Sequence, residues 1–199
     1  IIGAGIAALI QDNTKIVYTE SPGSLTFEVQ DIRAIADEAH KRGSVVIIDD
    51  TWSSGVFFKP FEHGVDVSVI AATKYLVGHS DVMMGVITTT DEQWQIVRQS
   101  ASDLGANSGP DDVYLALRGL RTIGVRMRQH HETGLKLARW LQARPEVVDV
   151  LHPGLPDNPN HELWKRDFTG ACGLFGVVLK PYRDEAFAAM LDGLELYGM

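Results

Sequence analysis

Short β-branched apolar runs alternate with amphipathic stretches along this chain, the pattern of repeated strand–helix units around a parallel sheet. Thr14 to Thr19 predicts a strand, and Ser21-Pro22-Gly23-Ser24 predicts a turn, since proline presets φ and glycine accepts positive φ. Ile32, Ile35, Ala36 and Ala39 recur at helical spacing behind a capping Asp31, and Gly43 stops that helix after Lys41-Arg42. Val45 to Ile48 is apolar at every position and ends abruptly in Asp49-Asp50, as a central strand covered on both faces should. Val67 to Ala72 and Val82 to Thr89 predict two further strands.

After Asp91 the pattern changes. From Asp111 to Ala143 there is no proline, and Val113, Leu117, Leu120, Met127, Leu135 and Trp140 suit one or two long helices. Each interior glycine there, Gly119, Gly124 or Gly134, costs about 1 kcal/mol against alanine, which predicts a bend or break near Gly119 or Gly124. Beyond Pro145 the pattern reads as a strand (Val147 to Leu151), a loop rich in Pro and Asn, a strand (Gly173 to Leu179), a helix (Asp184 to Asp192) and a strand-like Leu194 to Tyr197. The expected organisation is an α/β unit over residues 1–120, then a linking helix and the opening of a smaller α+β domain over residues 121–199. A start at Ile1 and a stop at Gly198-Met199 predict a piece of a longer protein.

Composition narrows the function classes. The chain has 199 residues, 45% hydrophobic and 22% charged, the balance of an ordinary soluble globular protein. With 18 basic against 26 acidic residues the net charge is −8, so no basic field exists to hold nucleic acid or an anionic membrane surface. No apolar stretch approaches the roughly 18 residues of a bilayer span. The single cysteine, Cys172, excludes an internal disulfide and a thiolate-rich metal site and fits a reducing cytoplasm. The seven histidines form no ligand pair at helical spacing, so no metal is expected. Arg118, Arg121, Arg126 and Arg128 read as a solvated or subunit-facing side of the long helix.

Three stretches carry candidate chemistry. Gly3-Ala4-Gly5-Ile6-Ala7-Ala8 imitates a dinucleotide-binding fingerprint, but only Ile1-Ile2 precede it and Glu20 follows too soon, so a short helix of small residues is the better reading. Lys74 is the only charge in the run Val67 to Val77. An apolar frame on both sides suggests an amine partly removed from water, able to condense with an aldehyde; the alternative is a lysine that snorkels to solvent from a strand end. Asp49 ends the most strand-like run, where open α/β sheets place their ligand sites, unless Asp49 or Asp50 merely caps the loop to Thr51-Trp52. The two lie 25 residues apart, one strand-to-strand excursion, so both could face one ligand. A carboxylate for a pyridinium nitrogen and a lysine for an aldehyde are the groups that pyridoxal phosphate needs.

The stretch from Asp49-Asp50-Thr51-Trp52 through Ala72-Thr73-Lys74-Tyr75-Leu76-Val77-Gly78-His79-Ser80-Asp81 resembles the cofactor-lysine segment of the Cys/Met-metabolism family of PLP-dependent enzymes. The similarity extends through Glu20-Ser21-Pro22, Leu117-Arg118-Gly119-Leu120-Arg121-Thr122 and Arg166-Asp167-Phe168-Thr169-Gly170. It implies the large domain of the aspartate-aminotransferase-like fold (fold type I), with a mainly parallel sheet and a smaller C-terminal domain. By the same resemblance Lys74 is the catalytic residue that holds the aldehyde of pyridoxal 5'-phosphate, Asp49 holds its pyridine nitrogen, Thr73 binds its phosphate and Thr51 packs against its ring. Many members, chiefly the γ-acting ones, have Ser three residues before the lysine and Asn in the E-[ST]-P-x-N-P turn; here Ala71 and Ser24 stand there, which is similar to the bacterial β-lyases. The implied activity is a carbon–sulfur β-elimination from a small amino-acid substrate in methionine biosynthesis, with cystathionine giving homocysteine, pyruvate and ammonia, in a cytoplasmic homotetramer. The γ-acting sister enzymes, a cysteine desulfhydrase and a non-catalytic assembly module of the same fold are the competing expectations. The family's glycine-rich phosphate loop and ring-stacking tyrosine would lie upstream of Ile1, and its substrate-binding arginine beyond Met199.

Overall fold

In the computed structural model, which describes residues 2–196, burial along the first two strands alternates strictly, and that alternation sets the architecture. Strands β1 (Ile16–Glu20), β2 (Val45–Asp49) and β3 (Val67–Ala71) pair in parallel in that order, and β4 (Gly85–Thr89) closes the edge antiparallel to β3. Val17, Val46 and Ile48 point to one face, where they meet Ile32, Ile35, Ala36 and Ala39 of helix α1 (Ile32–Lys41) in a single buried cluster. Asp31 caps α1 by accepting from the Ala34 amide, and Gly43 ends it at φ 68°.

The other face departs from the expectation of a strand covered on both sides. Val45 and Ile47 are only half-buried, while Ile16, Tyr18 and Ile87 are 56%, 60% and 50% exposed. Helix α1 covers one face; on the other, the exposed Ile16, Tyr18 and Ile87 contrast with the buried Val67.

Helix α2 (Asp91–Asp103), which the hydrophobic pattern did not announce, buries no side chain and leaves Trp94 and Ile96 exposed. The long helical stretch does break where the glycines predicted, into α3 (Pro110–Leu120) and α4 (Ile123–Gln142). The expected strand from Val82 begins only at Gly85, because Val82 turns into a small core with Ala72, Leu76, Val77 and Ala116.

A second, two-stranded sheet pairs β5 (Val147–Leu151) with β6 (Gly176–Leu179) antiparallel, and α4 packs on β5 through Ala138, Val150 and Leu155. Within the loop read as Pro/Asn-rich lies helix α5 (His161–Asp167), missed because its apolar positions Leu163 and Trp164 are too few to show a period. Helix α6 (Asp184–Asp192) follows as expected. Leu194 to Leu196 form no strand, against the expectation, and Tyr197 lies outside the described residues. The end of α5 and the segment after it strap this part of the chain to the first sheet's layer. The Thr169 amide donates to Phe57 O at 2.8 Å, Phe168 stacks on Phe58 at 4.7 Å, and Arg166 grips both oxygens of Asp31 at 2.9 and 3.1 Å.

Gly119 and Gly124 flank the α3–α4 break but differ in surroundings. A Cβ at Gly119 would run into the carbonyl oxygens of Leu76 and Val77, whereas at Gly124 its nearest neighbour is Arg128 Nη1 at 3.8 Å. Gly119→Ala is therefore expected to destabilise by about 1–3 kcal/mol through overpacking, despite better helix propensity. Gly124→Ala should be neutral or stabilise by up to about 1 kcal/mol. Urea unfolding of the two variants checks the ranking, and equal midpoints would refute it.

Candidate active site

The C-terminal ends of β1, β2 and β3 open into one cleft of about 1130 Å³. This is the edge where a parallel sheet delivers its loops and where such folds keep their ligands. Its walls include Glu20 and Ser24 from the end of β1, Asp49, Thr51 and Trp52 from the end of β2, and Thr73, Lys74 and Tyr75 from the turn after β3. Asp49, Thr51, Thr73 and Lys74, the four residues singled out in the sequence, thus face a common space.

Asp49 and Asp50 are consecutive at the end of β2 and point oppositely. Asp49 lines the cleft, and its Oδ1 accepts from the Thr51 amide at 2.9 Å. Its other oxygen takes no hydrogen bond from the described residues. Asp50 is fully buried, accepting from the Ser53 hydroxyl at 2.6 Å and from the Gly55 amide at 2.8 Å. Burial pushes its carboxyl up to about 7, against the opposing pull of those two donors. Ser53 Oγ in turn accepts from the Phe58 amide at 3.1 Å, so Asp50 organises the loop that carries Thr51 and Trp52.

The two threonines are already engaged within the protein. Thr51 Oγ1 accepts from the Ala71 amide at 2.8 Å, which ties the ends of β2 and β3 together and leaves its own proton to donate. Thr73 Oγ1 accepts from the Met84 amide at 2.9 Å and donates weakly to Met84 O at 3.3 Å. Of the two expectations for Lys74, an amine partly removed from water and a side chain reaching solvent, the structure shows the second. Lys74 sits on a run of turns, residues 72–77, with its side chain exposed at the cleft, because the apolar residues framing it in sequence (Ala72, Leu76, Val77) turn away into their own core.

Sequence reasoning missed several residues that shape the site. Glu20 accepts from both the hydroxyl (2.6 Å) and the amide (3.2 Å) of Ser24, fixing the turn over the cleft. Tyr75 meets His130 edge-on at 5.1 Å, and both line the wall. Burial raises the Tyr75 phenol above its usual range and the Cys172 thiol to about 11, so both stay protonated at neutral pH. Arg126 does not simply face solvent: its guanidinium turns inward onto the Lys74 turn, with Nη1 donating to Tyr75 O at 2.6 Å. Spacing could not find it, because its partners on that turn, Tyr75 and Leu76, lie 51 and 50 residues away.

A family model matches residues 2–199, nearly the whole chain, and it is that of the Cys/Met metabolism PLP-dependent enzymes. The chain belongs to this family. Cystathionine beta-lyase of Escherichia coli is 48% identical over all of this chain and 51% of its own length. Cystathionine gamma-lyase of mouse is 39% identical over 96% of this chain and 48% of its own length. The crystal structure of cystathionine gamma-lyase from Lactobacillus plantarum complexed with L-serine superposes with a TM-score of 0.87 at 32% identity, covering 89% of this chain and 47% of that one. The chain thus spans about half the length of the relatives it matches, and it carries the PLP-dependent large-domain fold. The family's cofactor is pyridoxal phosphate. The donor set fits it: an accessible amine, a carboxylate with an oxygen to spare, and a Thr51 hydroxyl with a proton to give. Among the described residues no His, Cys, Asp and Glu cluster could hold a metal, and no helix is long and apolar enough to cross a membrane.

Asp50 makes stability depend on pH. A free aspartate titrates near ~3.9, so between that value and about 7 the native state holds a proton the unfolded chain has released. The stabilising contribution is complete below about pH 4 and is lost as pH rises through about 7. Asp50→Asn keeps a neutral side chain that can accept from Gly55. The full-length variant should lose less of its melting temperature than wild type between about pH 5 and about pH 8, as a thermal unfolding series would show. Identical pH slopes would mean that Asp50 titrates normally.

Proposed function

We propose that the full-length protein is a PLP-dependent carbon–sulfur β-lyase that cleaves cystathionine to homocysteine, pyruvate and ammonia. The observation that carries this reading is the convergence of Lys74 and Asp49 on one cleft at the ends of parallel strands. Bound there, the cofactor would supply an electron sink for the substrate's α-carbon.

The chain's own residues would do the rest. Lys74 would hold the cofactor's aldehyde and, once the substrate amine has taken its position, act as the base that removes the α-proton. Its exposure suits both tasks, since the amine must reach the substrate. Asp49, fixed by the Thr51 amide, would accept a hydrogen bond from the ring nitrogen and favour its protonated, electron-withdrawing form. Thr73 would hold the phosphate, exchanging its weak bond to Met84 O for a charge-assisted one. Thr51 would pack against the ring. Trp52, sealed under the loop by its bond to Leu174 O at 3.1 Å, would keep water from the adjacent wall.

Relatives with other activities make the branch a separate question. An L-alanine/L-glutamate racemase of Wolbachia is 40% identical over 98% of this chain, and the γ-lyases are nearly as similar. All of these activities fit the same α-proton removal. Ser24 and Ala71, both lining the cleft where γ-acting members carry Asn and Ser, support cleavage on the β side. We also propose that residues 1–120 form part of the cofactor domain, that residues 121–199 link to and begin the smaller domain, and that the full-length protein works as a cytoplasmic homo-oligomer. Two separate sheets and the exposed apolar side chains of the first support this division and assembly.

Borohydride treatment of the full-length yellow protein should fix the cofactor to the peptide that contains Lys74, and Lys74→Ala should abolish elimination. Label on another lysine would sink the assignment. Asp49→Asn should lower kcat by at least about 100-fold, since it removes the charge that holds the ring protonated. Analysis of the products from cystathionine decides the branch: pyruvate with homocysteine is expected, and 2-oxobutyrate with cysteine would establish the γ-lyase instead.

A further inference from the structure

The turn that carries Lys74 lies outside any strand or helix and is tied at its start by the Thr73 amide, which donates to Met84 O at 3.1 Å. Inside it the Val77 amide donates to Ala72 O at 2.9 Å and the Gly78 amide to Lys74 O at 2.8 Å. The carbonyls of Tyr75 and Leu76 point out of the turn, where a buried acceptor without a partner would be costly. Arg126, near the start of α4, meets them. Its Nη1 donates to Tyr75 O at 2.6 Å, its Nη2 to Leu76 O at 3.1 Å and to Gly119 O at 2.8 Å, and its Nε to the Thr122 hydroxyl at 3.1 Å.

This is a planar fork matched to a set of backbone acceptors, and none of the ion pairs among the described residues includes it. Partial burial lowers its affinity for its proton, with no carboxylate to compensate. Two glycines make the approach possible. A Cβ at Gly78, which holds φ 76°, would overlap the guanidinium, and one at Gly119 would overlap the carbonyls of Leu76 and Val77. The same side chain therefore joins the Lys74 turn, the end of α3 and the first turn of α4.

We propose that Arg126 is a positioning residue for Lys74: by clamping the carbonyls of Tyr75 and Leu76 it fixes the turn so that the amine projects into the cleft. The proposal rests on the reading that Lys74 carries the cofactor. A lysine in place of Arg126 is a point charge without the fork and could satisfy at most part of the set.

The test uses the full-length protein as wild type, Arg126→Lys and Arg126→Met, with Arg166→Lys as a stability control remote from the cleft. Amide hydrogen exchange on the cofactor-free protein should accelerate about 10-fold or more in peptides covering residues 72–78, while those of α1 and β2 stay protected. In the loaded protein the pH midpoint of the cofactor's visible absorption should shift, and kcat should fall by about 10- to 100-fold with KM nearly unchanged, as expected for a displaced reacting group. The Arg166→Lys control should show neither spectral shift nor loss of kcat. If Arg126→Met fails to fold, Arg126→Lys decides. Unchanged exchange in the turn would overturn the proposal, as would faster exchange with the absorption midpoint and kcat of wild type. Borohydride label away from Lys74 would instead overturn the reading beneath it, whatever the exchange shows.

Discussion

Successive side chains of a strand point to opposite sides, and at the end of β2 this separates two adjacent carboxylates into different environments. Asp49 faces the cleft with one oxygen held by the Thr51 amide. Asp50 faces the interior, where Ser53 and Gly55 satisfy it and burial keeps it protonated up to about pH 7. The pair is coupled mechanically, because the loop ordered by Asp50 carries Thr51 and Trp52 to the wall that Asp49 forms. A slip of one residue in β2 would exchange them, leaving an unpartnered charge in the core and a preoccupied carboxylate in the cleft.

The opposite wall depends on a different device. Lys74 stands on a turn whose stability comes from elsewhere in the chain: a clamp from α4, a close approach by α3 through Gly119, and a small core built from Ala72, Leu76, Val77, Val82 and Ala116. The reactive amine is thus exposed while the backbone on either side of it is held. Function at this position needs both, since a buried amine could not meet a substrate and a loose one could not be aimed.

Within the described residues one face of the sheet is covered by α1 and much of the other is exposed. The apolar side chains left on the other face run along the sheet, from Ile16 at the start of β1 through Tyr18 to Ile87, which pairs with Val69 next to Asp49. With relatives about twice as long, that face is where further chain or a second copy can bury apolar area.

Local order was legible in the residues themselves. The spacing of Ile32, Ile35, Ala36 and Ala39 determined α1, the unbroken Val45 to Ile48 determined β2, and the glycines flanking Leu120 to Ile123 determined the break between α3 and α4, because each depends on neighbours in sequence. The candidates Asp49 and Lys74 were legible too, as charges that end or interrupt apolar runs. Only the tertiary structure decided the rest. Whether Lys74 is buried or exposed was left open by its sequence, and its apolar neighbours decide it by packing away from it, into a core that Val82 and Ala116 complete. Arg126 was hidden because its partners on the Lys74 turn are backbone carbonyls, which every residue has and no sequence pattern marks. Side-chain periodicity records which face is buried, whereas the closure of a site depends on which distant backbone a side chain reaches, and that is fixed only when the elements pack.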